Sequence, residues 1–407
     1  MERIRKIFVA IKFSSQENEV GELVEEEGKI YFKYKDSFLQ SGLEISPFKL
    51  KLSPYIYQAD SQPFDGLFGV FADSLPDGWG KLLLDRSLLS IGRNLQDVSL
   101  LERLAFVGNN GMGALTFRPE KGLKVLAEDK IELDAISKAS TKILEGKSST
   151  VLESILKLNG SSGGARPKIV IGYNPLTDQI IEDNGSLPIG FESWLIKFSA
   201  TIDRPDAANI EMAYYLMAVN AGIEMSESRL FKGKSGSNYF GTKRFDRKGN
   251  NRLHLHSAAG LMHDNFRISN LDYGDIMDCA FKLERNVNAY EKVLRLAAFN
   301  LFMHNRDDHR KNFAFLMNEK GVWRFAPAYD LTYSNASHGM HSTLIAGEGA
   351  QPTEKHLLEL AHYFKVKNGP EIIKQVKQTA AKWEKFAEKA GVSKMSARII
   401  KKEIATG

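Results

Sequence analysis

Residues 304–312 read His-Asn-Arg-Asp-Asp-His-Arg-Lys-Asn and separate two apolar segments of the chain. Before them, residues 290–303 are apolar around most of a helical circumference, which predicts a buried helix. After them, residues 313–317 and 322–326 predict two short core strands joined by a turn. Two carboxylates, two imidazoles and a terminal amide are therefore held between core elements. This placement favours a site that carries chemistry.

The spacing inside this loop is typical of a protein-kinase phosphoryl-transfer site. Such a site needs an Asp that orients the attacking hydroxyl and, five residues later, an Asn that binds Mg²⁺. Asp307 and Asn312 have this separation. A second metal-binding carboxylate is expected after a hairpin, and Asp330 follows the strand that ends near residue 326. The pattern predicts Asp307 as the catalytic residue and Asn312 and Asp330 as Mg²⁺ ligands.

Two other interpretations of this loop stay open. Asp307 and Asp308 could be ordinary turn residues, with Asn312 capping a strand. Alternatively, the loop could bind a transition metal in a phosphohydrolase, because imidazole and carboxylate groups are suitable ligands. Its ligands would be His304, Asp307, Asp308 and His309. The hydrolase interpretation leaves Asn312 and Asp330 without a role.

The composition is that of a globular protein with a sizeable core. The chain has 407 residues, 43% of them hydrophobic, which suggests two or three structural units. An apolar run at residues 7–11 is bracketed by Lys6 and Lys12 and is too short for a signal sequence or a membrane span. We therefore expect a cytoplasmic protein. The single cysteine, Cys279, predicts neither an internal disulfide nor a zinc site.

The positive charge is concentrated near the carboxyl end. The formal net charge is +5, and residues 353–407 contain 12 Lys and Arg against six Glu and no Asp. A basic helical tail can be a solvated helix face or a surface that binds nucleic acid, and the interspersed glutamates favour the solvated face. Helices are predicted over residues 354–363, 371–390 and 394–405.

A loop rich in small residues is a candidate phosphate-binding element. Residues 159–168 read Asn-Gly-Ser-Ser-Gly-Gly-Ala-Arg-Pro-Lys and lead into a predicted strand at 169–172. Glycines let backbone N–H groups approach an anion. This Gly/Ser loop is not a Walker A loop, because the Gly-Lys-Ser/Thr ending is missing and a strand follows. Linkers have the same composition, so the loop alone is a weak signal.

Lys197 lies within a predicted strand, among large apolar residues. Burying an ammonium group is costly unless an anion meets it, and a nucleotide phosphate would be such an anion. An edge-strand lysine that reaches water is the alternative. In kinases a strand lysine pairs with a helix glutamate, and Glu211 on the predicted helix 206–221 could fill that position. An exposed glutamate near a helix N-terminus is the competing explanation.

The β-rich part of the sequence ends at residues 243–249, Lys-Arg-Phe-Asp-Arg-Lys-Gly. A hairpin is predicted over 228–232 and 238–245, and helices follow. One short connection between a β-rich lobe and a helical lobe creates a cleft in which backbone groups can bind an adenine edge. Phe245 is a candidate for that pocket or a buried packing residue.

Two earlier segments mark limits of structural elements. The turn cluster 71–80 predicts a structural corner before a helix at 81–90, and the polar segment 118–130 predicts a domain boundary.

Taken together, these motifs resemble the HipA family of bacterial toxin kinases. The resemblance is carried by Ser161–Lys168, Lys243–Arg247, Asp307–Asn312 and Tyr329–Asp330, in the order of that family, while Leu75–Gly80 is similar to its N-terminal subdomain. It implies an α+β, protein-kinase-like, two-lobed fold. A β-rich N-terminal subdomain would span residues 1–125. A kinase-like N-lobe with the phosphate loop, the lysine strand and the hinge would span 126–246, and a helical C-lobe with the catalytic loop 247–407.

The resemblance also implies a function and its residues. It implies an ATP-dependent serine/threonine protein kinase that is the toxin of a toxin–antitoxin pair, with a small DNA-binding antitoxin of the HipB type as its partner. Known family substrates include an aminoacyl-tRNA synthetase, and the family's contact with operator DNA is compatible with the basic tail. Asp307 would be the catalytic base, Asn312 and Asp330 the Mg²⁺ ligands, and Ser161 or its neighbour Ser162 the autophosphorylated residue. The implied ATP-binding residues are Gly163, Gly164, Ala165, Arg166, Pro167, Lys168, Lys197, Lys243, Arg244, Phe245, His309, Arg310, Lys311, Asn312, Tyr329 and Asp330. An inactive kinase-like scaffold that binds a partner and DNA stays open beside the kinase and the hydrolase.

Overall fold

Alternating burial along the first strands gives each of them one face in a core. In the strand Lys29–Tyr34, the side chains of Ile30, Phe32 and Tyr34 are all buried on the same side. The ring of Phe32 packs against that of Phe71, with centroids 5.0 Å apart. An antiparallel sheet with one face on the core therefore forms at the start of the chain.

The computed structural model describes residues 4–121, 131–147, 152–159, 164–265, 271–335 and 339–404. Its strands are β1 Lys6–Ile11, β2 Asn18–Glu26, β3 Lys29–Tyr34, β4 Ile56–Gln58, β5 Leu115–Arg118, β6 Lys168–Asn174, β7 Gln179–Glu182, β8 Glu192–Lys197, β9 Ser228–Lys232, β10 Asn238–Lys243, β11 Arg247–Lys248, β12 Asn251–Arg252, β13 His254–Ser257, β14 Ala314–Met317 and β15 Trp323–Phe325. Its α-helices are α1 Asp36–Leu39, α2 Gly69–Ala72, α3 Gly78–Ser90, α4 Leu100–Val107, α5 Leu133–Leu144, α6 Leu152–Asn159, α7 Ala207–Asn220, α8 Ala258–Met262, α9 Tyr273–Glu284, α10 Asn288–Phe302, α11 Glu354–Tyr363, α12 Gly369–Ala380, α13 Trp383–Lys389 and α14 Lys394–Ile404.

The chain divides into two compact units. The first unit comprises Met1–Asp203, Phe231–His256 and Leu316–Val322, and the second comprises Arg204–Leu230, Ser257–Phe315 and Trp323–Gly407. These limits differ from the boundaries expected at 125/126 and 246/247, which stay predictions. No helix in the described ranges is both long and apolar enough to cross a membrane.

Two five-stranded sheets account for most of the strands, in the orders β4-β3-β2-β1-β5 and β7-β6-β8-β10-β9. A core of the first unit packs α3, α5 and α6 against the second of these sheets. Trp79 and Leu83 of α3 contribute to this core together with Ile169 of β6 and Trp194 of β8. A helix from the amino-terminal region is therefore packed against the strands that follow the Gly/Ser loop.

The second unit is built around α10, the helix that leads into residues 304–312. Most side chains of α10 are buried, as the sequence predicts. The ring of Phe299 lies 6.2 Å from that of Tyr214 on α7, which in turn lies 5.8 Å from Trp383 on α13. The hydroxyl of Tyr214 donates a hydrogen bond of 2.6 Å to the carbonyl of Met303. The end of α10 is thereby fixed where the polar loop begins.

Two expectations about elements are corrected. The helix expected at 81–90 begins earlier, at Gly78, so the turn cluster already contains its first turn. The single helix expected at 371–390 is two helices, because the chain turns at residues 381–382 and brings the buried Trp383 onto α7. Among the helices expected after the β-rich part, whose bounds the sequence leaves open, the structure has α9, begun by a capping box between Asp272 and Asp275.

Candidate active site

The loop after α10 is held by hydrogen bonds to its backbone. Three consecutive carbonyl oxygens each accept a bond from a side chain further along the chain. The carbonyl of Arg306 accepts from the hydroxyl of Ser342 at 3.0 Å, that of Asp307 from Nδ2 of Asn312 at 2.8 Å, and that of Asp308 from the hydroxyl of Thr343 at 2.5 Å. The backbone of residues 306–308 therefore has little freedom to turn.

The two adjacent aspartates of this loop have opposite environments. The side chain of Asp307 is 57% exposed, and its Oδ1 lies 3.9 Å from Nε2 of His309. The side chain of Asp308 is fully buried. Its Oδ2 accepts hydrogen bonds from the hydroxyl of Tyr273 at 2.8 Å and from Nδ1 of His341 at 2.9 Å, and its Oδ1 accepts from the backbone N–H of Ser342 at 2.8 Å. Asp307 can meet a substrate, whereas Asp308 anchors the loop.

A chain of buried polar side chains extends from Asp308 back to the loop. Tyr273 accepts from Nδ2 of Asn300 at 2.7 Å, and Oδ1 of Asn300 accepts from Nδ2 of Asn305 at 2.9 Å. Burial raises the pKa of Tyr273 well above its ordinary value, and the charge of Asp308 raises it further. The tyrosine therefore stays protonated and donates to Asp308. The sequence patterns do not predict this network. Their one local signal is the pair of consecutive acids: neighbouring side chains of an extended backbone point to opposite sides, so Asp307 and Asp308 can have different environments.

Asn312 and Asp330 carry the kinds of oxygen atom that a hard divalent cation binds. The bond from Nδ2 of Asn312 to the carbonyl of Asp307 fixes the amide and leaves Oδ1 as its acceptor. Asp330 has φ +57, in the left-handed region that few non-glycine residues adopt and in which Asp is enriched. The hydroxyl of Tyr329 donates to the carbonyl of Lys311 at 2.5 Å, which ties the residue before Asp330 to the residue before Asn312. Carboxylate and amide oxygens are the ligands that Mg²⁺ takes from proteins.

The transition-metal interpretation is not supported by the placement of its ligands. Nε2 of His304 lies 2.8 Å from Oδ1 of Asn335, and its ring stacks on Tyr333. Asp308 is occupied by Tyr273 and His341, as described above. Within the ranges that the structure describes, no group of three or more His, Cys, Asp and Glu side chains could hold a metal ion. His304, Asp307, Asp308 and His309 do not assemble into one cluster.

Two further predicted residues of this loop have structural contacts. The guanidinium of Arg310 is fully buried and donates from Nη1 to Oδ2 of Asp264 at 3.0 Å. Burial lowers the pKa of Arg310, and the charge of Asp264 opposes this effect. Lys311 contributes its carbonyl to Tyr329. The roles of Arg310 and Lys311 at a nucleotide stay predictions.

In the first unit, two lysines lie opposite each other on neighbouring strands. Lys168 of β6 and Lys197 of β8 are register partners in an antiparallel pair. Lys168 is buried, Lys197 is partly buried, and the ammonium of Lys197 lies 5.8 Å from the ring centre of Phe240. Directly opposed like charges destabilise a sheet, so an anion between them would be bound favourably. This arrangement suits a phosphate group.

The described part of the Gly/Ser loop begins at Gly164. Its N–H donates to Oδ1 of Asp77 at 2.6 Å, and its carbonyl accepts from the N–H of Trp79 at 3.0 Å. Ala165 and Arg166 are exposed, and Nη2 of Arg166 lies 3.0 Å from Oδ1 of Asp203. The carbonyl of Pro167 accepts from the N–H of Phe198 at 2.8 Å. The predicted Ser161, Ser162 and Gly163 lie outside the described residues.

The predicted hinge residues are held in ion pairs. Lys243 lies 2.5 Å from Oε1 of Glu192. Arg244 is buried against Asp246, with 2.7 Å between Nη2 and Oδ2, and Arg247 contacts the same carboxylate. Burial acts to raise the pKa of Asp246, but the two guanidiniums hold it well below its usual range. Phe245 between them is partly buried. These contacts give Arg244 and Arg247 a structural role. The adenine-binding role of Lys243, Arg244 and Phe245 stays a prediction.

Glu211 of α7 is buried, so the alternative of an exposed glutamate at a helix N-terminus is wrong. Burying a carboxylate is costly unless a partner compensates it, and this favours a functional or pairing role. Lys197 belongs to the first unit and Glu211 to the second. Their ion pair stays a prediction.

Comparisons with known proteins agree with these motifs. A family model described as the HipA-like C-terminal domain matches residues 160–402, and one described as the HipA N-terminal domain matches residues 12–118. Among curated proteins, the chain is similar to the putative kinase Y4mE of Sinorhizobium fredii, with 24% identity over 332 residues that cover 75% of this chain and 72% of the relative.

A solved structure shows the same fold. It is the complex of the Shewanella oneidensis toxin–antitoxin system HipA and HipB with its operator DNA. The TM-score is 0.68 and the identity 16%, over 98% of this chain and 95% of the matched chain. This likeness confirms the predicted fold class. Because the C-terminal family model alone spans more than half of the residues, this chain belongs to the HipA family.

Proposed function

We propose that this chain is an ATP-dependent serine/threonine protein kinase and the toxin of a toxin–antitoxin pair. One observation carries the proposal. Asp307 presents an exposed carboxylate on a backbone whose three neighbouring carbonyls are fixed, and one of these bonds comes from Asn312, the residue at kinase spacing. Phosphoryl transfer needs little covalent help from a protein and depends on positioning and charge. A rigid loop with one exposed acid suits that requirement.

Asp307 would accept a hydrogen bond from a serine or threonine hydroxyl of a substrate protein and orient it. The hydroxyl oxygen forms a bond to the γ-phosphorus of ATP, the bond from that phosphorus to the β-phosphate oxygen breaks, and ADP leaves. The hydroxyl proton passes to the carboxylate of Asp307. Nε2 of His309, 3.9 Å from Oδ1 of Asp307, would limit the directions that this carboxylate takes.

Oδ1 of Asn312 and the carboxylate of Asp330 would hold the magnesium ion of a Mg·ATP substrate. Magnesium, when bound, neutralises charge on the phosphate oxygens. Two bonds support this pairing. Nδ2 of Asn312 donates to the carbonyl of Asp307, and the hydroxyl of Tyr329, the residue before Asp330, donates to the carbonyl of Lys311, the residue before Asn312. Among the residues of the first unit, Lys168 and Lys197 would bind phosphates and the Gly/Ser loop would cover them. Lys243, Arg244 and Phe245 would line the adenine site, directly or by supporting its backbone.

The partner would be a small DNA-binding antitoxin. The solved relative is a complex of HipA with HipB and operator DNA, and the similarity over almost the whole length of both chains supports a corresponding partner here. The basic helices at the carboxyl end are compatible with DNA close to such a complex. Expression with and without a small helix-turn-helix protein encoded next to this chain tests the pairing. Growth arrest that the second protein relieves is the expected result.

Incubation of the purified protein with γ-labelled ATP and Mg²⁺, followed by mass spectrometry, tests the kinase directly. We expect label on a serine of the Gly/Ser loop, Ser161 or Ser162, and none without Mg²⁺. Hydrolysis of phosphoesters without ATP would support the phosphohydrolase instead. A second incubation adds a bacterial extract as a source of substrate proteins. If the protein binds ATP but neither it nor any protein of the extract is labelled, the result contradicts the kinase and favours the inactive scaffold.

A further inference from the structure

Asp77 occupies the N-cap position of α3 but does not cap this helix. An Asp at this position ordinarily accepts a hydrogen bond from an N–H in the first turn. Here its side chain makes no such bond and instead accepts the N–H of Gly164, 87 residues further along the chain, at 2.6 Å. The N–H of Trp79, which lies in the first turn of α3 and has no partner within the helix, donates to the carbonyl of Gly164 at 3.0 Å. Residues 77–79 thus hold both polar groups of Gly164.

The close approach between these two segments requires glycine at position 78, and the backbone conformation requires it at position 164. Gly78 has φ +44, and a Cβ atom there would lie 2.5 Å from the carbonyl oxygen of Gly164. Gly164 has φ +92, and a Cβ atom there would lie 2.8 Å from Nζ of Lys168. The ammonium of Lys168 therefore lies directly against Gly164. The contact with Asp77, the turn at Gly164 and the position of Lys168 form one continuous arrangement.

This arrangement changes what Gly164 can do at a nucleotide. Its N–H is already bonded to a carboxylate, so it does not contact a phosphate in this conformation. The contact between Asp77 and Gly164 instead fixes the direction in which the chain leaves the Gly/Ser loop and enters β6. Four residues after Gly164, Lys168 begins β6 and lies opposite Lys197.

We infer that Asp77 is a positioning residue for phosphate binding: it fixes Gly164 and, through it, Lys168. The inference rests on the proposed function, because it assigns Asp77 to the phosphates of ATP. The amino-terminal corner 75–80 is then part of the nucleotide-binding machinery as well as a support for α3.

The test compares Asp77→Ala and Asp77→Asn with Asp85→Ala. Asp85 lies on the same helix, and its Oδ1 is 2.7 Å from Nη1 of Arg103, so its loss perturbs α3 without touching Gly164. The dissociation constants for Mg·ATP and for adenosine are measured on each full-length protein, together with its melting temperature. We expect Asp77→Ala to weaken Mg·ATP about tenfold and to leave adenosine unchanged, because adenosine has no phosphates. Asp77→Asn, whose Oδ1 still accepts from Gly164, should bind ATP within about threefold of the wild type.

Other results would overturn the inference. Unchanged affinity of Asp77→Ala for Mg·ATP would do so, as would equal losses for ATP and adenosine in both alanine variants, since these indicate a general effect on folding. If Asp77→Ala does not fold, Asp77→Ser replaces it, because serine caps a helix well but ends short of the Gly164 N–H. Failure of the wild type to bind Mg·ATP would refute the proposed function itself, and the inference with it. Normal binding by the wild type isolates the role of Asp77.

Discussion

Lys168 and Lys197 lie directly opposite each other on the antiparallel strands β6 and β8. Two ammonium groups in this relationship repel each other in the absence of an anion. Replacing Lys197 with Met removes one of these two charges. The same variant should bind Mg·ATP about tenfold or more weakly, because a charge-assisted contact to a phosphate is lost.

Equilibrium ATP binding measures this effect, and urea unfolding measures the stability of each variant beside it. Lys232→Met, an exposed lysine on β9 of the same sheet, is the matched control and should change neither quantity. Equal ATP affinity of the Lys197 variant and the wild type would remove Lys197 from the phosphate site.

The hydrogen bonds around Asp308 predict a large difference between two variants. Asp308→Ala leaves the donors of Tyr273, His341 and Ser342 buried without their acceptor and should cost about 3 kcal/mol of unfolding free energy. Tyr273→Phe removes one hydroxyl from the same network and should cost about 1 kcal/mol. Tyr363→Phe, at an exposed tyrosine of α11, should cost nothing measurable by urea unfolding. If the Tyr273 and Tyr363 variants are equally stable, the network does not stabilise the loop.

Asp330 should act through the metal ion. Asp330→Asn weakens one of the two proposed ligands, so the affinity for ATP in the presence of Mg²⁺ should fall at least about tenfold. In EDTA the variant and the wild type should bind ATP equally. A calorimetric titration under both conditions measures the difference. An unchanged gain of affinity on adding Mg²⁺ would place the metal ligand elsewhere.

His254 gives the protein a predictable dependence on acid. Burial and, after it, the charge of His256 lower the pKa of His254 from 6.5 to about 3, while the carbonyl of Ile45 and Asp73 act in the opposite direction. In the folded state the His254 ring stays neutral, whereas in the unfolded state it takes up a proton below about pH 6.5. The stability that His254 contributes is therefore complete above this pH and falls by up to about 1.4 kcal/mol per pH unit as the pH drops toward 3.

His254→Gln retains a donor for the carbonyl of Ile45 without a titrating group. The difference in unfolding free energy between wild type and variant should shrink or reverse on going from pH 7.5 to pH 5. A difference that does not change with pH would contradict the burial of a neutral His254.

Those parts of the candidate site that depend on spacing along the chain can be predicted from the sequence. The interval from Asp307 to Asn312 and the position of Asp330 after the hairpin are local features, and the structure gives Asp307 an exposed carboxylate and Asn312 a bond to its backbone. Apolar patterning likewise predicts α10 and the strand that follows the Gly/Ser loop.

The contacts that support the site are not local and leave no periodic signal. His341 contacts Asp308 across 33 positions, and Asp77 contacts Gly164 across 87. Only the packed core of each unit brings such residues together. The resemblance to the HipA family implies nucleotide roles for Arg244 and Arg310. In the fold their guanidiniums contact Asp246 and Asp264, and the nucleotide roles stay predictions.

The account depends most directly on the carboxylate of Asp307. Phosphate transfer from γ-labelled ATP by Asp307→Asn, compared with the wild type and with Asp278→Asn at an exposed acid of α9, is the measurement that tests it. We expect transfer to fall by about a thousandfold or more in the Asp307 variant, with Mg·ATP affinity within about twofold of the wild type and the Asp278 control unaffected. Label incorporated by Asp307→Asn at the wild-type rate would contradict the account.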